Sequence, residues 1–141
     1  MLCYFDILLE EKEPFPRISR LDYQIGKVRK TFIVDTPKGS YYQESVGEEI
    51  DYVLRTFLKD IVSCIYLISD NTEYKMLCIK RELDNLGLNL VVRIPLVDVI
   101  TCAKVKEITG GHLSLEESYK EIFEKSPLVD RIQMMKDILN L

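Results

Sequence analysis

Residues 2 to 9 read Leu2-Cys3-Tyr4-Phe5-Asp6-Ile7-Leu8-Leu9. A near-continuous apolar run of this length, rich in residues that suit a pleated sheet, predicts a central strand covered on both faces. Its one carboxylate, Asp6, therefore needs an explanation. A buried ionised carboxylate has to be paired, hydrogen-bonded or metal-bound, or it titrates to the neutral form, and such groups concentrate at functional sites. The other reading is an Asp near a strand end that caps a neighbouring backbone group.

The rest of the chain is read outward from that strand. Glu10-Glu11-Lys12-Glu13-Pro14-Phe15-Pro16 is a polar, proline-punctuated turn. Alternation of Leu21, Tyr23 and Ile25 with Asp22 and Gln24 predicts a second strand over 18–28, and Thr31 to Val34 a third, so an antiparallel meander. Ser45-Val46-Gly47-Glu48 has the form of a capping box. Behind it Ile50, Val53, Leu54, Phe57, Leu58 and Ile61 repeat at helical spacing, a single buried stripe. Val62 to Ile68 predicts a fourth strand. Asp70 to Glu73 is a second capping box, opening a helix that runs to about Gly87. Leu90 to Ile94 predicts a fifth strand.

Pro95 to Asp98 then leads into a short helix over 99–108 that Gly110-Gly111 ends. His112, the only histidine, reads as a loop or cap residue, with a ligand role as the alternative. Ser114 to Glu117 is a third capping box, with Leu115, Tyr119, Ile122 and Phe123 turned inward. Ser126-Pro127 marks the start of a last helix whose apolar face is Leu128, Ile132, Met135 and Leu139. The order βββ-α-β-α-β plus two or three helices predicts one α/β domain over 1–141. It would hold a mixed five-stranded sheet, a three-strand meander plus two parallel strands, with helices on both faces, an architecture that is ribonuclease H-like.

At 141 residues the chain is long enough for a full core without staples. No run approaches the ~18 apolar residues of a membrane span, and the N-terminus lacks signal-peptide features, so a cytoplasmic protein is expected. Cys3, Cys64, Cys78 and Cys102 have no CxxC spacing and read as reduced core thiols.

A net charge of −4 argues against a generally basic nucleic-acid binder. Within it, Arg17, Arg20, Lys27, Arg29, Lys30 and Lys38 stand against only Asp22 and Asp35, a basic ribbon on an acidic body. Such a ribbon suits contact with phosphates, and a solvated hairpin with alternating outward charges has the same composition. Tyr41-Tyr42, before the first helix, suit base stacking or packing.

Phe5-Asp6 resembles the Phe-Asp of the Phe-Asp-x-Glu first-strand motif of DnaQ-like 3′–5′ exonucleases. Gln24-Ile25-Gly26-Lys27-Val28 is similar to that family's Glu-Ile-Gly-x-Val, and Asp70-Asn71-Thr72-Glu73-Tyr74-Lys75 lies where it has His-Asn-x-x-Phe-Asp. Val97-Asp98-Val99 resembles its Asp-rich end of the fifth strand and Leu113-Ser114-Leu115 its Ser-Leu. Lys125 and Asp130 stand at the spacing of its His-x4-Asp. The resemblance implies a ribonuclease H-like fold and a site where four carboxylates hold two divalent metals, with a histidine as general base.

This chain departs from that pattern. Asp6 and Asp130 are retained, but Leu8 replaces the first-strand Glu, Lys75 the second-helix Asp and Lys125 the histidine. Two hard dications need more negative charge than that leaves. Glu10, Glu73 and Asp98 are possible substitutes, although Glu10 lies about 6.6 Å beyond Leu8 along the strand. The expectation is a non-catalytic or impaired exonuclease-like protein that binds a nucleic-acid end or a protein partner. No cofactor is expected, and magnesium or manganese if it is active. The alternatives are an active nuclease with a non-standard carboxylate set and a structural protein-interaction module. A last expectation is that Lys75 or Lys125 brings an ammonium group to Asp6 and Asp130 where relatives hold metal, the alternative being that both lysines point to solvent.

Overall fold

The computed structural model describes residues 1–34, 47–88 and 92–141. Five strands, β1 (Leu2–Glu10), β2 (Arg17–Ile25), β3 (Val28–Ile33), β4 (Tyr66–Ser69) and β5 (Leu96–Asp98), form one sheet in the order β3-β2-β1-β4-β5. The β1-β2 and β2-β3 pairs are antiparallel, and β4 runs parallel to both β1 and β5. The apolar run that opens the chain is therefore the middle strand of a mixed α/β sheet.

Each face of β1 enters a different core. Cys3, Phe5 and Ile7 pack with Val53, Leu54, Phe57 and Ile61 of α1 (Ile50–Ile61) and Met76, Ile79 and Leu83 of α2 (Thr72–Asn85). Tyr4 packs on the opposite side with Val105 of α3 (Ala103–Thr109), Leu115 and Tyr119 of α4 (Leu115–Phe123), and Ile132, Met135 and Ile138 of α5 (Arg131–Leu139). Cover on this second face runs out along the strand. Tyr4 is buried, Asp6 half-buried and Leu8 60% exposed, so β1 is not covered on both faces to its end.

Between β2 and β3, Gly26 at φ +60° supplies the left-handed residue of a two-residue turn, so β2 stops at Ile25 and β3 begins at Val28, earlier than the alternation alone indicated. Leu8 faces Arg20 while Leu9 faces Ile18, so Ser19 is an extra residue on β2. This bulge turns Ile18 into the core while Arg20 stays on the opposite face.

Several boundaries differ from the sequence expectation for identifiable reasons. Ser45 lies outside the described residues, and α1 starts at Ile50 with Glu49 as an N-cap that makes no side-chain capping bond. Val62 is exposed and the Cys64 amide closes a turn onto Ile61, which delays β4 to Tyr66. Asp70 does not cap α2: Asn71 does, at φ 52° and without a side-chain bond, because the Asp70 carboxylate is engaged elsewhere. The end of α2 is as the glycine indicates. Gly87 at φ +73° lets the Gly87 and Leu88 amides return to the Asp84 and Leu83 carbonyls.

The expected fifth strand at Leu90 to Ile94 is displaced to Leu96–Asp98; residues 89–91 lie outside the described residues. Pro95 opens the strand because an edge position needs only its carbonyl, which accepts from the Leu67 amide at 3.0 Å. Val99 and Ile100 accordingly form a buried turn, and α3 starts only at Ala103. Ser114 caps α4 as its motif indicates, accepting from the Glu117 amide. The last helix does not start at Ser126-Pro127. Asp130 is its N-cap, accepting from the Gln133 amide, while Leu128 and Val129 are exposed ahead of it. A carboxylate at the cap satisfies an orphan amide and complements the helix dipole. The buried side of α5 is then Ile132, Met134, Met135 and Ile138, with Leu139 half-buried.

Cys3, Cys64 and Cys78 are buried and Cys102 half-buried, all as free thiols. Burial holds the thiols of Cys3, Cys64 and Cys78 above the ordinary cysteine range. No helix among the described residues is long and apolar enough to cross a membrane.

Candidate functional site

Where β1 emerges from under the α3–α5 layer, a cleft of about 680 Å³ opens. Its floor is set by strand register. Asp6 lies directly opposite Asp22, Leu8 opposite Arg20, Asp22 opposite Thr31 and Gln24 opposite Arg29. Directly paired residues share a face, so one side of the sheet carries Asp6, Leu8, Arg20, Asp22, Arg29 and Thr31, all of which line the cleft. Val129, Asp130 and Arg131 form the opposite wall, and Lys75 closes one end.

Asp6 is held from both sides. Its Oδ1 accepts from Lys75 Nζ at 2.7 Å and from the Ile7 amide at 3.0 Å, and its Oδ2 accepts from Arg131 Nε at 2.9 Å. Asp70, at the end of the neighbouring parallel strand, takes the same two cations: Lys75 Nζ at 2.5 Å and Arg131 Nη2 at 2.7 Å. The third edge of the Arg131 fork donates to Glu116 of α4. One guanidinium thus joins β1, the β4–α2 connection and α4, which suits its planar set of donors. Lys75, only 8% exposed, also donates to Ser69 Oγ at 3.2 Å, and that hydroxyl donates to the Phe5 carbonyl at 2.6 Å.

Electrostatics follow the geometry. Burial alone would raise the Asp70 carboxyl, but the charges and hydrogen bonds of Lys75 and Arg131 hold it below the usual carboxylate range. Burial likewise works against the Arg131 guanidinium, and Asp70 and Asp6 more than offset it, so its pKa is raised. On the other side of the cleft, Arg29 donates to both Asp22 oxygens, at 3.1 and 2.7 Å, and reaches across to Asp130. The Arg29 hydrogen bond, aided by the Gln133 and Ile132 amides, holds the Asp130 carboxyl below its ordinary value. Thr31 Oγ1 completes the Asp22 shell at 2.8 Å.

The structure brings Asp6, Leu8, Lys75 and Asp130 of the sequence-derived set to this cleft, with Arg20 and Arg29. It does not bring Lys125, which is exposed and lines a shallow hollow with Glu117, Lys120, Glu121 and Glu124. Asp6 takes its second cation from Arg131 instead. Nor do the basic residues of the meander form one face, because side chains of a strand alternate. Arg17 pairs with Glu82 of α2 and Lys30 with Asp60 of α1, at 2.7 Å, on the far side of the sheet from the cleft. Lys27 is exposed in the β2–β3 turn. Lys38, Tyr41 and Tyr42 lie outside the described residues.

Asp22, Asp70, Glu116 and Arg131 are not among the site residues that the sequence suggests, where Asp70 has the form of a helix cap. Asp22 had a signal, because the two-residue turn at Gly26-Lys27 fixes it opposite Thr31. Of the possible substitute carboxylates, Glu73 is exposed on α2 and lines a groove with Leu77 and Lys80, while Asp98 accepts from the Ile100 amide at 2.9 Å.

The donor set does not fit a pair of divalent cations. Both oxygens of Asp6 and of Asp70 are taken by Lys75 and Arg131, and Leu8 offers no ligand atom. Among the described residues no group of three or more acidic, His or Cys side chains is arranged to hold a metal ion. A scan against family models matches none, and no curated protein matches the chain.

Proposed function

We propose that this protein is a ribonuclease H-like, exonuclease-like domain that has exchanged two-metal chemistry for binding, and that its cleft receives the end of a single-stranded nucleic acid. The observation that carries the reading is the clamp of Lys75 and Arg131 on Asp6 and Asp70. The chain's own cations stand against Asp6, which the resemblance places among the metal ligands, and against Asp70 just past the end of β4, and Lys75 itself occupies a position where the resemblance has a ligand carboxylate. The strand order and directions agree with the architecture that the resemblance implies. The crevice outside the carboxyl ends of parallel strands is also where open α/β sheets commonly bind ligands.

A binding role needs no transition-state stabilisation, only a shaped cleft and complementary charge. The cleft offers Arg20 and Arg29 for phosphate and the exposed side chains of Leu8 and Val129 for a base or sugar. Losing even one well-placed contribution to transition-state charge costs roughly 10²–10³ in rate, and this site has replaced several.

The test uses labelled single-stranded DNA and RNA with magnesium or manganese. The expected result is saturable, salt-sensitive binding with no shortening of the strand. Robust digestion that disappears in Asp6→Asn would overturn the reading in favour of an active nuclease with a non-standard carboxylate set. Absence of binding to either polymer would leave the protein-interaction reading in its place.

A further inference from the structure

The two arginines of the cleft are not engaged alike. Arg29 uses Nε and Nη2 on Asp22 and only Nη1 on Asp130. The Asp22 bonds lie within one hairpin, whereas the Asp130 bond spans the cleft from an edge strand to the cap of α5. Both members of that bridge are partly exposed, by 34% and 40% of their side chains, so solvent weakens the pair and a stronger anion can displace it. Arg20 is 51% exposed in its side chain, and its one ion pair among the described residues, to Asp22 at 3.9 Å, is beyond hydrogen-bond length. Its fork is open toward the cleft.

Lys75 and Arg131 of the lining are taken up by Asp6, Asp70 and Glu116, so Arg20 and Arg29, set against Asp22 and Asp130, are the cations left to meet a ligand in the cleft. Asp130 keeps a second role when Arg29 leaves it, because its Oδ1 still caps α5 through the Gln133 amide at 3.2 Å. Exchange at Arg29 therefore does not undo the helix.

We propose that the cleft is a receptor for a terminal phosphate monoester, which engages Arg20 and takes the place of the Asp130 carboxylate on Arg29. A monoester is favoured over a diester or a carboxylate by charge. It is close to a dianion above about pH 6, so it outcompetes a singly charged carboxylate for the same guanidinium, and a diester in the middle of a strand does not. The inference rests on the cleft being the end-binding site of the proposed function, and it specifies the chemistry of that end. A phosphate could come from a 5′ or a 3′ terminus, or from a free nucleotide.

The experiment measures anisotropy of three single-stranded oligonucleotides of one sequence, labelled on an internal base. One carries a 5′-phosphate, one a 3′-phosphate and one hydroxyls at both ends. One phosphorylated strand is expected to bind about tenfold or more tighter than the hydroxyl strand, the scale of a lost charged hydrogen bond. Inorganic phosphate should compete, and the preference should fade below about pH 6. Arg20→Gln should remove the preference with the melting temperature unchanged. Asp130→Asn, which keeps a capping side chain, should tighten phosphate binding severalfold because it releases Arg29. In a site where Asp130 served as a metal ligand it would do the reverse.

Equal binding of all three strands would overturn the phosphate receptor and leave end binding intact. So would weaker phosphate binding in Asp130→Asn. Failure of every strand to bind, with inorganic phosphate and a nucleoside monophosphate still raising the melting temperature in an Arg20-dependent way, would overturn the nucleic-acid reading and keep the receptor. No response to any phosphate compound would overturn both.

Discussion

Lys75 of α2 meets Asp6 of the central strand at 2.7 Å, and the pair joins the two layers of the protein. Asp6 lies on the face of β1 turned toward α3, α4 and α5, whereas α2 packs on the other face. The ammonium reaches Asp6 past the end of β4, through a gap lined by Ser69, and Arg131 arrives at the same carboxylate from α5. The cluster therefore ties both helical layers to one strand. Removing its buried cation should be costly. Lys75→Met is expected to destabilise the fold by about 2 kcal/mol or more, since breaking a desolvated pair leaves charge uncompensated. Arg131 retains contact with both carboxylates, which limits the loss. Urea unfolding of the variant measures it, and a midpoint unchanged from the parent would show that Lys75 is dispensable to the cluster.

Asp60, Asp70 and Asp130 contribute to the acid limit of stability. All three carboxyls have folded-state pKa values below their ordinary value near 3.9. At pH values between the two, the unfolded chain binds more protons than the folded one, so stability rises with pH through that window. The contribution is complete at neutral pH and declines as pH falls below about 4. Urea midpoints should thus be flat from neutral pH to about pH 5 and drop below about pH 4. Asp70→Asn should lower the plateau and shallow the acid decline. A variant whose acid limb keeps the parental slope would show that Asp70 is not a principal source of it.

What the sequence made legible follows from how local each signal is. The α1 stripe through Val53, Leu54, Phe57 and Ile61 is set within one helix, and it is the buried face found. The Ser114 cap and the Gly87 stop are likewise decided within a few residues. Errors fell where a side chain had a distant partner. Asp70 has the form of a cap, but two cations from α2 and α5 outbid the backbone amides. The last helix starts at Asp130 and not Ser126 because the Asp130 carboxylate accepts from the Gln133 amide, and Arg29, about a hundred residues earlier in the chain, also reaches that cap. The cluster itself was half visible. Asp6 stood out as a carboxylate in an apolar strand, while Arg131 carried no mark except its place after Asp130.

Divalent metal should have little to bind here. Because a ligand raises stability only through its affinity for the folded state, millimolar magnesium or manganese is expected to leave the melting temperature of the protein unchanged. Lys75→Asp removes a cation from Asp6 and Asp70 and adds a third carboxylate, and it should gain a metal-dependent rise. The two proteins are compared by differential scanning fluorimetry over a metal series. A clear rise in the parent that Asp6→Asn abolishes would show a metal site at Asp6.

Arg17 and Arg20 stand three positions apart on β2 and have the same side chain, yet their substitution should differ sharply. Arg17 pairs with Glu82, whose side chain is only 1% exposed, and its guanidinium also lies 5.6 Å from the Phe15 ring. Arg17→Ala leaves a carboxylate buried in α2 without that partner, a loss of about 3 kcal/mol. Arg20→Ala removes a solvated side chain with one long ion pair and should fall within about 0.5 kcal/mol of the parent. Arg17, at the start of the strand, reaches Glu82 of α2, whereas Arg20 lines the cleft on the other side of the sheet. If burial of Glu82 is the cause, the double substitution Arg17→Met with Glu82→Leu should recover most of the stability, because a hydrophobic pair of similar volume needs no countercharge. Equal losses in Arg17→Ala and Arg20→Ala would remove the argument, and so would a double variant no more stable than Arg17→Ala alone.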